Sequence, residues 1–201
     1  MAAVALSAVV TDPDADVVDL VDLGDVAAAV VCLMQRYGVA VYRYCREALH
    51  DAALADDVHQ QVFIAALCGL PRFARRSPVR IWLFAIARHR VLDAVKRRRS
   101  AERVFAAERT TDTPDPRASA DASIDDARLR AALVASLAEL PTPTRTAVLL
   151  RYQQGFSFAE MSQICGERPA ALCARVSRAI PVLRRRIEAR IGRPSAMAAG
   201  A

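Results

Sequence analysis

The 201-residue chain holds only 7 glycines, one tryptophan and three histidines, and aromatic residues make up 5% of it. Scarce glycine argues against an all-β fold, which needs a tight turn about every 8–12 residues. His50, His59 and His89 are scattered, and no carboxylate cluster joins two of them. There is no glycine-rich phosphate loop and no Ser/His/Asp pattern. A nucleic-acid hydrolase is therefore disfavoured: no catalytic residue, metal ligand or cofactor is expected. The five cysteines, at 32, 45, 68, 165 and 173, are odd in number and contain no Cys-x-x-Cys pair. Neither a disulfide framework nor a zinc site follows, and reduced thiols are expected. No run of about 18 apolar residues is free of charge, so no membrane span is expected. The first ten residues are apolar, yet no Lys or Arg precedes them and Asp12, Asp14 and Asp16 follow at once. That is a poor signal peptide, and the expected location is the cytoplasm.

What is abundant is apolar and basic. The apolar fraction is 54%, much of it alanine, which favours helix. The net charge of +6 is unevenly spread. Residues 1–57 carry 10 acidic and 3 basic side chains. Residues 72–99 carry 10 basic side chains and only Asp93 acidic, and residues 145–193 carry 10 basic and 3 acidic. Two separate basic blocks imply two contact regions on a polyanion, with nucleic acid the natural candidate.

The periodicity predicts an all-α chain of two small helical domains joined by a flexible linker. Residues 1–21 read as a disordered leader, 22–100 as the first domain, 101–127 as the linker, 128–193 as the second domain and 194–201 as a disordered tail. In the first domain a helix begins near Asp22–Asp25 and is interrupted at Gly38. A second follows around Val41–Leu49, and a third begins near Leu54 with Asp56 and Asp57 in its first turn, where carboxylates suit the helix dipole. Gly69, Pro71 and Pro78 make residues 68–80 a loop. The fourth helix, about Val79–Arg99, gathers Ile81, Phe84, Ala87, Val91, Leu92 and Val95 on one face. Trp82, His89, Arg90, Asp93, Lys96 and Arg97 lie opposite, while Arg88 falls within the apolar arc and calls for an internal salt bridge. The Asp- and Pro-containing linker would reach roughly 90 Å extended and about 30 Å as a coil.

In the second domain helices run from Arg128 to Leu140 and from Pro143 to Gln153. Ser157-Phe158-Ala159-Glu160 is a capping box that opens a short helix, Gly166 suits its C-terminal cap, and Pro169 opens another helix. Two helices with a glycine-containing turn, the second basic, describe a helix-turn-helix. Arg168, Ala171, Ala174, Arg175 and Arg178 would face DNA, the arginines reaching bases or phosphates. Pro181 removes a hydrogen bond to the Ser177 carbonyl and should kink or end that helix.

Ala55-Asp56-Asp57-Val58-His59-Gln60-Gln61-Val62-Phe63, followed by Ile81-Trp82-Leu83-Phe84-Ala85-Ile86-Ala87-Arg88-His89 and Lys96-Arg97-Arg98-Arg99, resembles region 2 of the extracytoplasmic-function (group IV) sigma factors of the bacterial sigma-70 family. Leu137, Leu140-Pro141, Arg145, Val148–Leu150, Gly155-Phe156-Ser157, Glu160, Arg175, Arg178-Ala179 and Leu183-Arg184 resemble region 4. The stretch Ala170-Ala171-Leu172-Cys173-Ala174 departs from that family, offering fewer hydrogen-bond donors than usual. The resemblance implies a transcription-initiation subunit without catalytic chemistry. Asp56, Asp57, Gln60 and Gln61 would contact core RNA polymerase at the β′ clamp helices, and the β subunit would be a further contact. Arg72, Phe73, Arg75, Arg76, Arg80, Trp82, His89, Arg90, Lys96, Arg97 and Arg98 would meet the −10 element. Loop 68–80 would form the pocket for a flipped base, and the helix-turn-helix residues would read the −35 element. The resemblance also implies that polymerase orders the linker. It admits an anti-sigma partner, which the family commonly has. The alternative is a stand-alone helix-turn-helix regulator, which would not need the Asp56-to-Phe63 surface.

Overall fold

The computed structural model describes residues 13–105 and 124–192, and every element within them is helical. The chain runs through α1 (Ala15–Asp22), α2 (Val26–Leu49), α3 (Ala52–Gly69), a 3-10 turn (Leu70–Arg72) and α4 (Val79–Phe105). After the linker come α5 (Ile124–Ala138), α6 (Thr142–Val148) with a π-helical turn (Leu149–Gln153), α7 (Phe158–Cys165) and α8 (Pro169–Ile191). Most of the expected leader, the middle of the expected linker and the tail lie outside the described residues.

Local chemistry accounts for the boundaries. Asp25 caps α2 by accepting from the Ala28 amide at 3.0 Å, and His50 ends it in the left-handed conformation at φ 54. Asp51 caps α3 through the Leu54 amide at 2.9 Å, so Asp56 and Asp57 stand beyond the first turn, a correction of one turn. The capping box of α7 is formed in full. The Glu160 amide donates to Ser157 Oγ at 3.2 Å, and the Ser157 amide donates to Glu160 Oε2 at 2.7 Å. Gly166 follows at φ 68, a conformation that glycine adopts without penalty.

Three further expectations are corrected and a fourth is narrowed. The leader is not loose throughout, because α1 packs on α2 and the buried Asp14 accepts from Tyr37 Oη at 2.8 Å and Arg36 at 2.7 Å. Gly38 does not interrupt α2; a mid-helix glycine costs about 1 kcal/mol, and the burial of Leu33, Val41 and Tyr44 on either side outweighs it. α4 and α5 each extend into the expected linker, to Phe105 and from Ile124. Of the two outcomes expected at Pro181, a kink or an end, the end is excluded, because α8 runs on to Ile191. Ile180 and Leu183 pack into the core on both sides of the missing hydrogen bond, and Arg186 and Arg190 both pair with Glu139, just past the end of α5.

The two regions are packed on each other. α4 is covered on one side by α2 and α3 and on another by α6 and α7. This explains why Leu83, outside the expected apolar arc, is as fully buried as Phe84. Phe84 and Phe156 meet edge to face with centroids 5.1 Å apart, and Tyr44 meets Phe84 in the same way at 5.8 Å. One apolar core therefore runs through both regions. Burying an aromatic side chain such as Phe156 contributes about 1.5–3 kcal/mol.

Candidate polymerase and promoter interfaces

The outer face of α3 carries the first set of expected residues. Asp56, Asp57 and Gln60 are exposed and Gln61 is half-buried, while Val58 and Val62 turn into the core. Phe63 is 5% exposed, and its ring meets His59 edge to face at 5.1 Å. It is a core residue. Sequence reasoning missed Ile64 and Leu67, which are 53% and 43% exposed. Both lie at helical spacing from Gln60, so a polar patch runs on into an apolar one along a single face. Exposed apolar side chains contiguous with polar ones suit a protein partner.

The second set lies on the loop and on α4. Arg72, Arg75 and Arg76 are exposed around the turn, with Arg75 at φ 54 and paired with Asp22 of α1. Phe73 packs on Trp82 with centroids 5.1 Å apart. A side chain at Gly69 would come within 2.9 Å of the Trp82 ring, so this glycine is what lets the indole lie against the end of α3. Toward the C-terminal end of α4, His89, Lys96, Arg97 and Arg98 are exposed and Arg90 is half-buried. His89 Nδ1 is 3.1 Å from Asp93, and Arg98 reaches Glu102 at 3.5 Å.

Arg80 stands apart from this group. It donates to the Gln154 carbonyl, and its guanidinium lies over the Phe156 ring at 4.1 Å. Here it joins the two regions rather than facing solvent. Arg88 does the same: its side chain is 14% exposed and sits 3.4 Å from Glu167. That is the internal pair its place in the apolar arc called for.

In the helix-turn-helix, Arg168, Ala171, Ala174 and Arg178 are exposed along α8. Arg175 is partly buried, donating to both carboxylate oxygens of Glu167 at 2.9 and 2.5 Å. Glu167 thus holds the recognition helix and α4 together. The Arg175 guanidinium, with Arg88 behind it, keeps the Glu167 carboxyl below the usual carboxylate range. No sequence signal marked Glu167; its role depends on the contact between regions.

Residues 33–101 match the Sigma-70 region 2 family, and residues 130–180 match the Sigma-70 region 4 family. The ECF RNA polymerase sigma factor SigC of Mycobacterium tuberculosis is 34% identical over 131 residues, which cover 65% of this chain and 69% of SigC. The chain belongs to the extracytoplasmic-function sigma factors. The fold agrees. CnrH, solved in complex with the cytosolic domain of CnrY, superposes with a TM-score of 0.64 at 25% identity, covering 88% of this chain and 97% of that one. RpoE, solved with the anti-sigma factor NepR from Bartonella quintana, shares the fold with a TM-score of 0.67 at 21% identity, covering 77% and 94%.

As a sigma factor, the chain directs core RNA polymerase to promoters and has no catalysis of its own. Among the described residues no group of His, Cys, Asp and Glu could hold a metal, and no helix is long and apolar enough to cross a membrane. One further surface of this sigma factor escaped sequence reasoning. An apolar groove of about 710 Å³ lies between α5, the π-helical turn and α8, lined by Leu133, Val134, Leu137, Tyr152, Leu183 and Ile187 among others. Leu133 and Val134 are each 40% exposed and Tyr152 is 64% exposed.

Proposed function

We propose that region 2, about residues 22–100, docks on core polymerase through α3 and meets the −10 element through the loop and α4. The observation that carries this reading is the separation of chemistry by helix. Exposed Asp56, Asp57 and Gln60 share α3 with Ile64 and Leu67, whereas the exposed cations of region 2, Arg36 and Arg43 of α2 apart, gather on the 72–76 turn and the C-terminal part of α4. An acidic, amide-bearing face suits a basic protein surface, here the β′ clamp helices. Cations with planar groups suit an opened DNA strand: Arg72, Arg75, Arg76, Arg90, Lys96, Arg97 and Arg98 hold phosphates, and Phe73, Trp82 and His89 offer surfaces to bases. Loop 68–80 receives a flipped base of the −10 element. Region 4, about residues 128–193, meets the −35 element through Arg168, Ala171, Ala174, Arg175 and Arg178. Its apolar groove is the natural seat for a helix of the β subunit.

The packed arrangement is the polymerase-free state of this reading. Promoter elements two DNA turns apart are separated by roughly 70 Å, whereas Phe84 of region 2 touches Phe156 of region 4. Both regions cannot occupy their elements while packed, so they separate as the holoenzyme forms. That frees Arg80 for the −10 strand and Arg175 for the −35 element. Residues 106–123 would reach roughly 60 Å extended, so polymerase must hold the linker nearly straight. The protein works in the cytoplasm, where polymerase is. CnrH was solved with a protein partner on it, and a partner of the anti-sigma kind fits here as well.

Paired substitutions test the division of labour. Asp57→Ala with Gln60→Ala should abolish core-polymerase binding and leave DNA binding intact. Lys96→Ala with Arg97→Ala should weaken promoter opening and leave polymerase binding intact. Equal losses of both activities in both variants would contradict the assignment.

A further inference from the structure

Between α1 and the 73–78 loop lies a pocket of about 400 Å³. Phe73, Arg75, Arg76 and Ser77 line it from the loop, and Val18 and Asp19 line it from α1. α1 lies outside the residues that match region 2, which begin at 33. It is nonetheless firmly held. Arg36 grips Asp16 through two hydrogen bonds at 2.7 and 3.0 Å and Asp14 through a third at 2.7 Å, and Arg75 ties Asp22 to the loop. The wall that carries Asp19 is therefore fixed to α2 by the Arg36 pairs and to the loop by the Arg75–Asp22 pair.

The lining chemistry is that of a nucleotide site. Phe73 offers an aromatic surface, and Arg76 is an exposed cation in the lining for a flanking phosphate, while Arg75 is paired with Asp22. Pockets that enclose one small aromatic ligand fall within roughly 300–1,000 Å³. Asp19 is an exposed carboxylate, so it only accepts hydrogen bonds. Cytosine, adenine and guanine each present an exocyclic amino group that donates to such an acceptor. Thymine presents carbonyl oxygens on either side of one N–H, and both would face the carboxylate.

We propose that Asp19 on α1 completes the pocket for the flipped −10 base and selects an amino-bearing base over thymine. This rests on the reading of loop 68–80 as the base pocket and adds a specificity-determining residue from outside the matched region.

The test is in vitro transcription by the full chain with core polymerase. Templates would carry each of the four bases at every position of the −10 element. The wild-type chain should discriminate against thymine at one position by roughly tenfold, the scale of one good side-chain-to-base contact. Asp19→Asn supplies a donor as well as an acceptor and should flatten that preference while leaving the other positions unchanged. Asp19→Ala should do the same by a different side chain. Phe73→Ala reports on the pocket itself. If it alters the base profile while both Asp19 variants keep the wild-type profile, α1 is not part of the site and the proposal is overturned. If none of the three alters the profile, the loop-pocket reading fails with it.

Discussion

Removing Glu167 should cost more than removing Arg88, although the two form one ion pair. At 3.4 Å and an effective dielectric of 20, their direct attraction is about 5 kcal/mol. Desolvating both groups cancels most of it, leaving a net coupling of about 1 kcal/mol. The two ends are not equivalent. Arg88→Met leaves Glu167 still bonded twice by Arg175. Glu167→Gln leaves an Arg88 side chain only 14% exposed, whose Nε already has no protein partner, facing a neutral amide. We expect about 1 kcal/mol of destabilisation for Arg88→Met and about 2 kcal/mol for Glu167→Gln. The double variant should fall short of the sum by about 1 kcal/mol. Urea unfolding of the four proteins at pH 7 reads these values. The coupling also has a pH signature. The carboxyl titrates lower in the folded chain than in the unfolded one, because Arg175 and then Arg88 hold it ionised. Its contribution is therefore present above the ordinary glutamate range and is lost as pH falls through the lowered value. Additivity within about 0.3 kcal/mol, with Arg88→Met the costlier change, would refute the argument that Glu167 joins the two regions.

Two further outcomes follow from buried polar groups. Burial, with Arg145 and Arg98 nearby, pushes the His50 imidazole down to about 4. Folded and unfolded chains thus bind protons equally above the ordinary histidine range, and stability should fall between about pH 6.5 and pH 4 by a few kcal/mol. His50→Asn keeps a residue that tolerates the left-handed cap at φ 54 and should flatten that slope in thermal melts; an unchanged slope would exclude His50 as its source. Asp14→Ala leaves the buried Tyr37 hydroxyl without its carboxylate acceptor and Arg36 with one partner fewer, costing about 1–3 kcal/mol. Amide exchange should speed up first in α1; uniform acceleration across region 2 would mean that α1 does not dock as an independent element.

Much of the fold was legible because the signals were local. Capping at Ser157–Glu160, the turn at Gly166 and the start at Pro169 depend only on neighbouring residues, and the periodicity of α4 names most of its buried face. The outward residues of α3 were legible for the same reason, since helical spacing alone puts Asp56, Asp57 and Gln60 on the exposed face. The misses are long-range. Nothing near Asp14 announces that a tyrosine and an arginine more than 20 positions later will draw it into the core. The continuation of α8 past Pro181 depends on its packing against α5. The engagement of Arg80, Arg88 and Arg175 between the regions depends on a contact across the linker. Periodicity could place Arg88 inward but not name Glu167 as its partner.

The defining activity of this chain is to program core polymerase at promoters with two elements. The direct measurement is transcription of sheared genomic DNA from the source organism by core polymerase, with and without the purified chain, with mapping of every 5′ end. The account predicts discrete chain-dependent starts that share a −10 and a −35 sequence about two helical turns apart. Starts identical to those of core polymerase alone, from a chain that still binds DNA, would contradict it.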